Sequence, residues 1–369
     1  MRLTMQRFLR YLLLSMLWGG VVAYVGYAAL LARAEHREAV VQRLDIVVAD
    51  SSVYGSLVQS EEVLRWMKRQ GRKLVGQPCD SIDLAAIEHL ILKNGFVATA
   101  EASLQGEGLL SVRLTQRQPL LRLRLEGMDS YLTREGYLFA VPPRSARYVP
   151  VVTGSYRPPV PLRYTGRVRD YIDHELWKID TMILALERSK LPHYAAERQN
   201  DRNLRGVSRK RTSKHWWRLE REERFQGRVK VLRAEKAALR KMYRYRGRQI
   251  QAEIDRIEMQ QEQLRAEQKK LKKKYEDFMK LLTFVEQVEQ NDFWGSELVE
   301  IIASTTSSGA LELALVPRSG HFTIQFGRIE QVEEKFEKLD RFYRDGLRVV
   351  GWDCFREVDV RFSNQVVCR

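Results

Sequence analysis

Residues Tyr11 to Ala32 constrain the chain more than any other stretch, because these 22 positions carry no charge. At helical rise they reach roughly 33 Å, and a hydrocarbon core is about 30 Å thick. Trp18, Gly19, Gly20, Tyr24 and Tyr27 all suit a membrane helix. Arg2, Arg7 and Arg10 precede the run without an acid, whereas Arg33 and Arg37 beyond it are offset by Glu35 and Glu38. The positive-inside rule then places residues 1–10 in the cytoplasm, 11–32 across the membrane and the remainder outside. Ala32-Arg33-Ala34 has the small-x-small form of a signal-peptidase site, but a signal core runs about 7–15 residues, so a retained anchor is the expectation.

The net charge is +16, and its distribution matters more than its size. Arg198 to Arg248 holds 19 Lys and Arg against 5 Asp and Glu, which leaves the rest of the chain close to neutral. Basicity therefore belongs to one segment. Cys79, Cys354 and Cys368 are too few for a disulfide framework. Three separate thiols are expected, with a Cys354–Cys368 bridge as the alternative in an oxidising compartment.

Beyond the apolar run the pattern reads strand, helix, helix, strand, strand. Val41 to Ala49 alternates, with Leu44, Ile46 and Val48 on one face. Ser60 precedes Glu61 and Glu62 as a helix start, and the helix is expected to stop at Gly71. A second helix opens at Asp80 or Ile82, carries Leu84, Ile87 and Ile91, and closes at Asn94-Gly95. Phe96 to Leu104 and Leu110 to Leu114 alternate around Gln105-Gly106-Glu107-Gly108, a hairpin turn. Residues 41–117 thus form a small βααββ domain with two helices on a three-stranded sheet. From Pro119 the pattern becomes Leu121, Leu123 and Leu125 alternating with charge. A hairpin around Arg134-Glu135-Gly136 and a strand at Val149-Pro150-Val151-Val152-Thr153-Gly154 follow. Tyr171 to Lys190 reads as a helix whose apolar stripe faces a core, ended by Leu191-Pro192.

Residues 191–280 form a charged insert. Phe225, Leu232 and Leu239 are seven apart, as are Ile250, Ile257, Leu264, Leu271 and Phe278. The two runs are offset by eleven, which means either a stutter in one long helix or a turn between two, with Tyr243 to Gly247 as the candidate turn. After it come a break at Phe293-Trp294-Gly295 and a hairpin around Pro317 to Gly320. An amphipathic helix from Ile329 to Tyr343 stopped by Gly346, and two short strands, complete the pattern.

The βααββ unit directly after an apolar run resembles a POTRA domain. With the strand after Gln118-Pro119, the hairpin Tyr131-Leu132-Thr133-Arg134-Glu135-Gly136-Tyr137-Leu138-Phe139, the VPVVTG stretch, and the ending Gly351-Trp352-Asp353 … Ser363-Asn364-Gln365-Val366-Val367-Cys368, the chain resembles the cell-division protein FtsQ (DivIB) family. It is most similar to the Bacteroidota type. The resemblance covers residues 1–185 and 280–369. Thr133 departs from it, since the family hairpin usually carries an acid there. The resemblance implies an α+β protein: one transmembrane helix, a POTRA-like domain, then a mixed β-domain over 118–369 carrying the helical insert.

It also implies a non-enzymatic scaffold of the division machinery at the inner membrane and the septum, which recruits FtsB-like and FtsL-like partners. The site it implies is the C-terminal sheet edge: Val358, Asp359, Val360, Arg361 and Phe362, with Asn364, Gln365 and Val366. A strand edge there lacks proline and lysine, so a partner strand can add to it. At least one face must be core.

No reading of the residues points to catalysis. The six histidines fall in unrelated elements, His174-Glu175 lacks the second His of HExxH, and no P-loop or zinc spacing occurs. No cofactor, metal or small-molecule substrate is expected. The rival reading is a basic binder of membrane surfaces or nucleic acid acting through the insert, with Lys210, Arg211, Lys214, Trp216, Trp217 and Arg218 as contacts. An anchor that exports the insert argues against nucleic acid. A POTRA-bearing translocation barrel would need serial alternating segments of about ten residues, which are missing.

Overall fold

A computed structural model describes residues 16–29, 40–49, 57–69, 74–142, 147–213, 221–351, 354–363 and 365–369. The chain divides into two compact units, one formed by residues 1–157, 162–167 and 282–369, the other by 158–161 and 168–281.

Within the first unit, residues 16–29 form helix α1, with every side chain exposed. The ends of the expected span, 11–15 and 30–32, lie outside the described residues. Among the described residues no helix is long and apolar enough to cross a membrane.

The βααββ order follows as expected: β1 (Arg43–Val48), α2 (Ser60–Arg69), α3 (Leu84–Leu92), β2 (Val97–Gln105) and β3 (Leu109–Gln116). The sheet order is β1-β3-β2, with β1 parallel and β2 antiparallel to β3. Two local expectations change. Ser60 Oγ donates to the Ile46 carbonyl (3.2 Å) and so ties α2 to β1. The cap of α3 is Asp83, whose carboxylate accepts from Ala86 N–H (2.9 Å), a bond neither Asp80 nor Ile82 is placed to make. The stop expected at Gly71 lies outside the described residues. At the β2–β3 turn, Gly108 has φ +74°, and a Cβ there would lie 2.2 Å from the Val40 carbonyl oxygen, so only glycine fits.

The second sheet has ten strands. They are β4 (Pro119–Leu125), β5 (Met128–Thr133), β6 (Tyr137–Ala140), β7 (Val151–Thr153), β8 (Gly166–Arg167), β9 (Leu298–Thr305), β10 (Leu311–Pro317), β11 (Thr323–Gly327), β12 (Glu357–Asp359) and β13 (Val367–Cys368). Their spatial order is β13-β12-β11-β10-β9-β7-β4-β5-β6-β8. The β7 strand bridges the two halves, running parallel to β4 on one side and to β9 on the other. Gly154 ends it at φ +107°, where a Cβ would lie 2.2 Å from the Ala303 carbonyl oxygen. In the β5–β6 hairpin Thr133 replaces the expected acid, and its hydroxyl accepts from Tyr137 N–H (3.2 Å) while Gly136 takes φ +72°. Tyr131 and Phe139 of this hairpin are fully buried and pack into the core of the βααββ domain.

An aromatic core covers the other end of the sheet. Phe284, in the last turns of helix α5 (Glu222–Gln290), stands 5.0 Å from Phe326 and 5.9 Å from Phe336 between ring centres. Trp294 of α6 (Asp292–Glu297) packs tilted against Phe336 and edge-on against Tyr343, and its indole N–H donates to Asp340 (2.9 Å). The expected break at Phe293-Trp294-Gly295 is in fact this short helix, started by Asn291 accepting from Phe293 and Trp294 N–H. Phe336 belongs to α7 (Val332–Arg341). Gly346 does not end that helix. It keeps an ordinary φ of −76°, the chain passes through a π-turn into α8 (Leu347–Val350), and the left-handed residue that stops it is Gly351 (φ +94°).

The second unit is a two-helix antiparallel hairpin of α4 (Val168–Arg209, 42 residues) and α5, which runs 69 residues before it ends. Its rungs are Asp180 with Gln268 (2.8 Å), Glu187 with Gln261 (2.9 Å), Lys190 with Glu258 (3.4 Å), Asn200 with Tyr243 (3.0 Å) and Lys210 with Glu235 (2.7 Å). The α4 stripe of Ile172, Leu176, Ile179, Ile183 and Leu186 lies on the seam between these helices. The same four-three spacing continues past Pro192 through His193, Asn200, Leu204 and Val207, so the proline lies inside α4 and does not end it. Tyr243 to Gly247 is likewise inside α5. The offset of eleven is a stutter in one helix, and Gly247 occupies it where a Cβ would come within 3.2 Å of Asn200 Nδ2.

Candidate functional site

The expected edge strand has neighbours on both sides. Val358 pairs with Ile324 of β11 and with Cys368 of β13, and Asp359 pairs with Gln325 and Val367. Among the described residues the open edge therefore belongs to β13, one strand further on. Glu357 and Arg369 exchange both backbone hydrogen bonds, Arg369 N–H to Glu357 O at 2.9 Å and Glu357 N–H to Arg369 O at 3.0 Å. Antiparallel ladders alternate, so Cys368, and Val366 two residues before it, turn their amides and carbonyls outward.

The residues expected at this edge separate into two groups. Val358, Asp359 and Val360 are buried, at 0, 2 and 0 % exposure. Phe362 is 43 % exposed, Arg361 and Gln365 are exposed, and Val366 is half-buried. Asn364 lies outside the described residues. The buried Asp359 carboxylate accepts from Arg361 N–H (3.0 Å), Nε (2.9 Å) and Nη2 (2.6 Å). These bonds hold its pKa below the usual carboxylate range and raise that of Arg361.

Lys338 is the residue the sequence does not single out. From α7 its ammonium donates to the carbonyls of Val360 (2.9 Å) and Phe362 (2.7 Å), satisfying two acceptors of the segment that leads into β13. Lys335, one turn earlier and buried, donates to Phe326 O (3.0 Å) and Arg328 O (2.7 Å). Burial, with Lys338 nearby, lowers its pKa. A pair of lysines three apart on the polar side of an amphipathic helix is the only trace of this in sequence.

Over strands β9 to β12 lies a shallow cleft of about 550 Å³. Thr323, Gln325, Arg356 and Glu357 are among its lining residues. Of the basic set, Lys210 pairs with Glu235 and Arg211 is exposed, whereas Lys214, Trp216, Trp217 and Arg218 lie outside the described residues. Cys79, Cys354 and Cys368 form no disulfide with one another.

The βααββ domain is followed by a ten-stranded sheet that ends, among the described residues, on β13. Residues 39–115 match the POTRA-like domain, and residues 255–369 match the family described as FtsQ/DivIB, C-terminal related. Together the two matches support assignment of the chain to the FtsQ/DivIB family of division scaffolds. They suggest a role in cell division. No curated protein matches the chain.

Proposed function

We propose that this protein is a non-enzymatic divisome scaffold, held at the inner membrane by residues 11–32, that recruits FtsB-like and FtsL-like chains to the septum. The family assignment supports the setting. The observation that carries the mechanism is the outer side of β13, unpaired among the described residues, where Cys368 and Val366 turn backbone donors and acceptors away from β12. A partner strand added there extends the ten-stranded sheet by backbone hydrogen bonds. Phe362, exposed at the turn into this edge, supplies side-chain selection.

Substitutions at the exposed positions test this without disturbing the core. Val366→Pro removes an outward N–H that no bond among the described residues uses, a place where an edge strand accepts proline. Phe362→Lys removes an exposed apolar contact. Both variants should keep the wild-type circular dichroism and unfolding midpoint while losing co-purification with the FtsB-like and FtsL-like chains. Undiminished recovery by Val366→Pro rules out strand addition at β13. A charge at Val360, which is fully buried, would test folding instead.

A further inference from the structure

Two equal lengths of α5 differ sharply in what they present to solvent. Residues 253–277 hold 7 Lys and Arg against 7 Asp and Glu. Residues 224–248, toward the far end of the hairpin, hold 10 Lys and Arg against a single acid, Glu235. That acid is already engaged by Lys210 at 2.7 Å. The basic length also carries an apolar row that the seam does not use. Val231 is 69 %, Met242 50 % and Tyr245 58 % exposed. At 3.6 residues per turn these three and Ala238 fall within about 60° of arc, roughly 110° round the helix from Leu232, Leu239 and Tyr243 on the seam. Lys230, Lys241 and Arg248 border the row on one flank and Arg246 on the other, and Arg224 continues it toward the start of the helix, all exposed.

We infer that this outward face of α5, residues 224–248, is a docking surface for an anionic lipid bilayer. Charge complementarity selects an anionic partner. The apolar row selects a bilayer: a helix lying in the headgroup layer sinks such a row toward the acyl chains while flanking lysines and arginines reach the phosphates. A phosphate backbone in water offers nothing for Val231 or Met242 to bury against. A merely solvated face gains nothing from leaving them exposed. The inference concerns the helical hairpin alone and does not rest on strand addition at β13.

The test reads the hairpin locally, because the apolar residues 11–32 would bind any bilayer. The full chain, with Cys79, Cys354 and Cys368 changed to serine, is held in neutral phosphatidylcholine nanodiscs. It carries one environment-sensitive thiol label, at Val231→Cys or at the control Met259→Cys, which is 63 % exposed in the charge-balanced length. Vesicles of phosphatidylcholine with about 40 % phosphatidylglycerol should shift the label at 231 toward an apolar emission and leave 259 unchanged. Pure phosphatidylcholine vesicles should shift neither label. In the Val231→Cys background, Lys230→Gln, Lys241→Gln and Arg248→Gln together should weaken the response about a hundred-fold, or about five-fold per charge. No shift at 231, or an equal shift at 259, overturns the inference. So does a response to duplex DNA at matched phosphate concentration with none to vesicles, which would make the face a nucleic-acid surface.

Discussion

Lys338 and Asp359 hold the segment between β12 and β13 from opposite sides. The ammonium of Lys338 satisfies the Val360 and Phe362 carbonyls, and the Asp359 carboxylate gathers the backbone and guanidinium of Arg361. Hydrogen bonds to charged groups contribute about 1.5–3 kcal/mol each when buried, and the Phe362 carbonyl is exposed. Lys338→Met should therefore destabilise the protein by about 1–2 kcal/mol in urea unfolding. It should also speed amide exchange at Val367, while Lys338→Arg recovers most of both. The Asp359 pair gives a pH dependence. Its folded pKa is depressed, so its contribution is complete above the ordinary aspartate value of 3.8 and is lost as pH falls below that. The gap in urea midpoint between wild type and Asp359→Asn should be full at neutral pH and should close on acidification. An unchanged gap at pH 3 would assign the stability to packing. At this scale the sequence was half legible. The alternation of Val358, Val360 and Phe362 says that one face is core without saying which, and Val358 and Val360, expected among the contacts, are fully buried. Lys338 could not be read, because a lysine that caps distant carbonyls looks like any solvated lysine until the chain brings β12 beneath α7.

Element by element, regular patterns carried the most. The βααββ order, the Thr133–Tyr137 hairpin and the hairpin around Pro317 to Gly320 all follow from period-two alternation and turn residues. What misled was punctuation. Pro192 and Gly346 read as stops, yet both lie within continuous helical backbone, because local propensity yields to packing across a long seam. An interior proline forfeits its own N–H bond and crowds the carbonyl four residues back, at about 3 kcal/mol in an otherwise regular helix. The rungs on either side, Lys190 with Glu258 and Asn200 with Tyr243, keep α4 in register across it. Pro192 is exposed, so nothing packed is lost by replacing it. Pro192→Ala should restore the bond to Arg188 O and raise the melting temperature of the helical signal, with a gain of up to about 3 kcal/mol. Asn200 is the complementary case. It is 5 % exposed on the seam, where an apolar residue would pack better. A lone seam asparagine sets register at a cost in stability. Asn200→Leu should therefore melt higher while a disulfide between Ile183→Cys and Gln261→Cys forms less completely.

At the scale of the whole molecule, the scaffold reading and the lipid-surface reading assign different work to the two units, and a deletion separates them only if its ends meet. Removing 198–274 would strand the remainder of α4 opposite nothing, because the residues of α5 that face its last turns would be gone. The rungs indicate a better cut. Lys190 meets Glu258, so replacing 191–257 with a short Gly/Ser loop leaves a shorter hairpin whose remaining rungs, Glu187 with Gln261 and Asp180 with Gln268, are intact. The first unit loses none of its residues in this variant. Septal localisation and recovery of FtsB-like and FtsL-like chains should then survive, because the family match over 255–369 and the β13 edge both lie in what remains, apart from three matched residues at the cut. Binding to anionic vesicles through the hairpin should vanish. Loss of localisation with an unchanged unfolding midpoint would show instead that the far end of the hairpin, and not the sheet edge, places this protein at the septum.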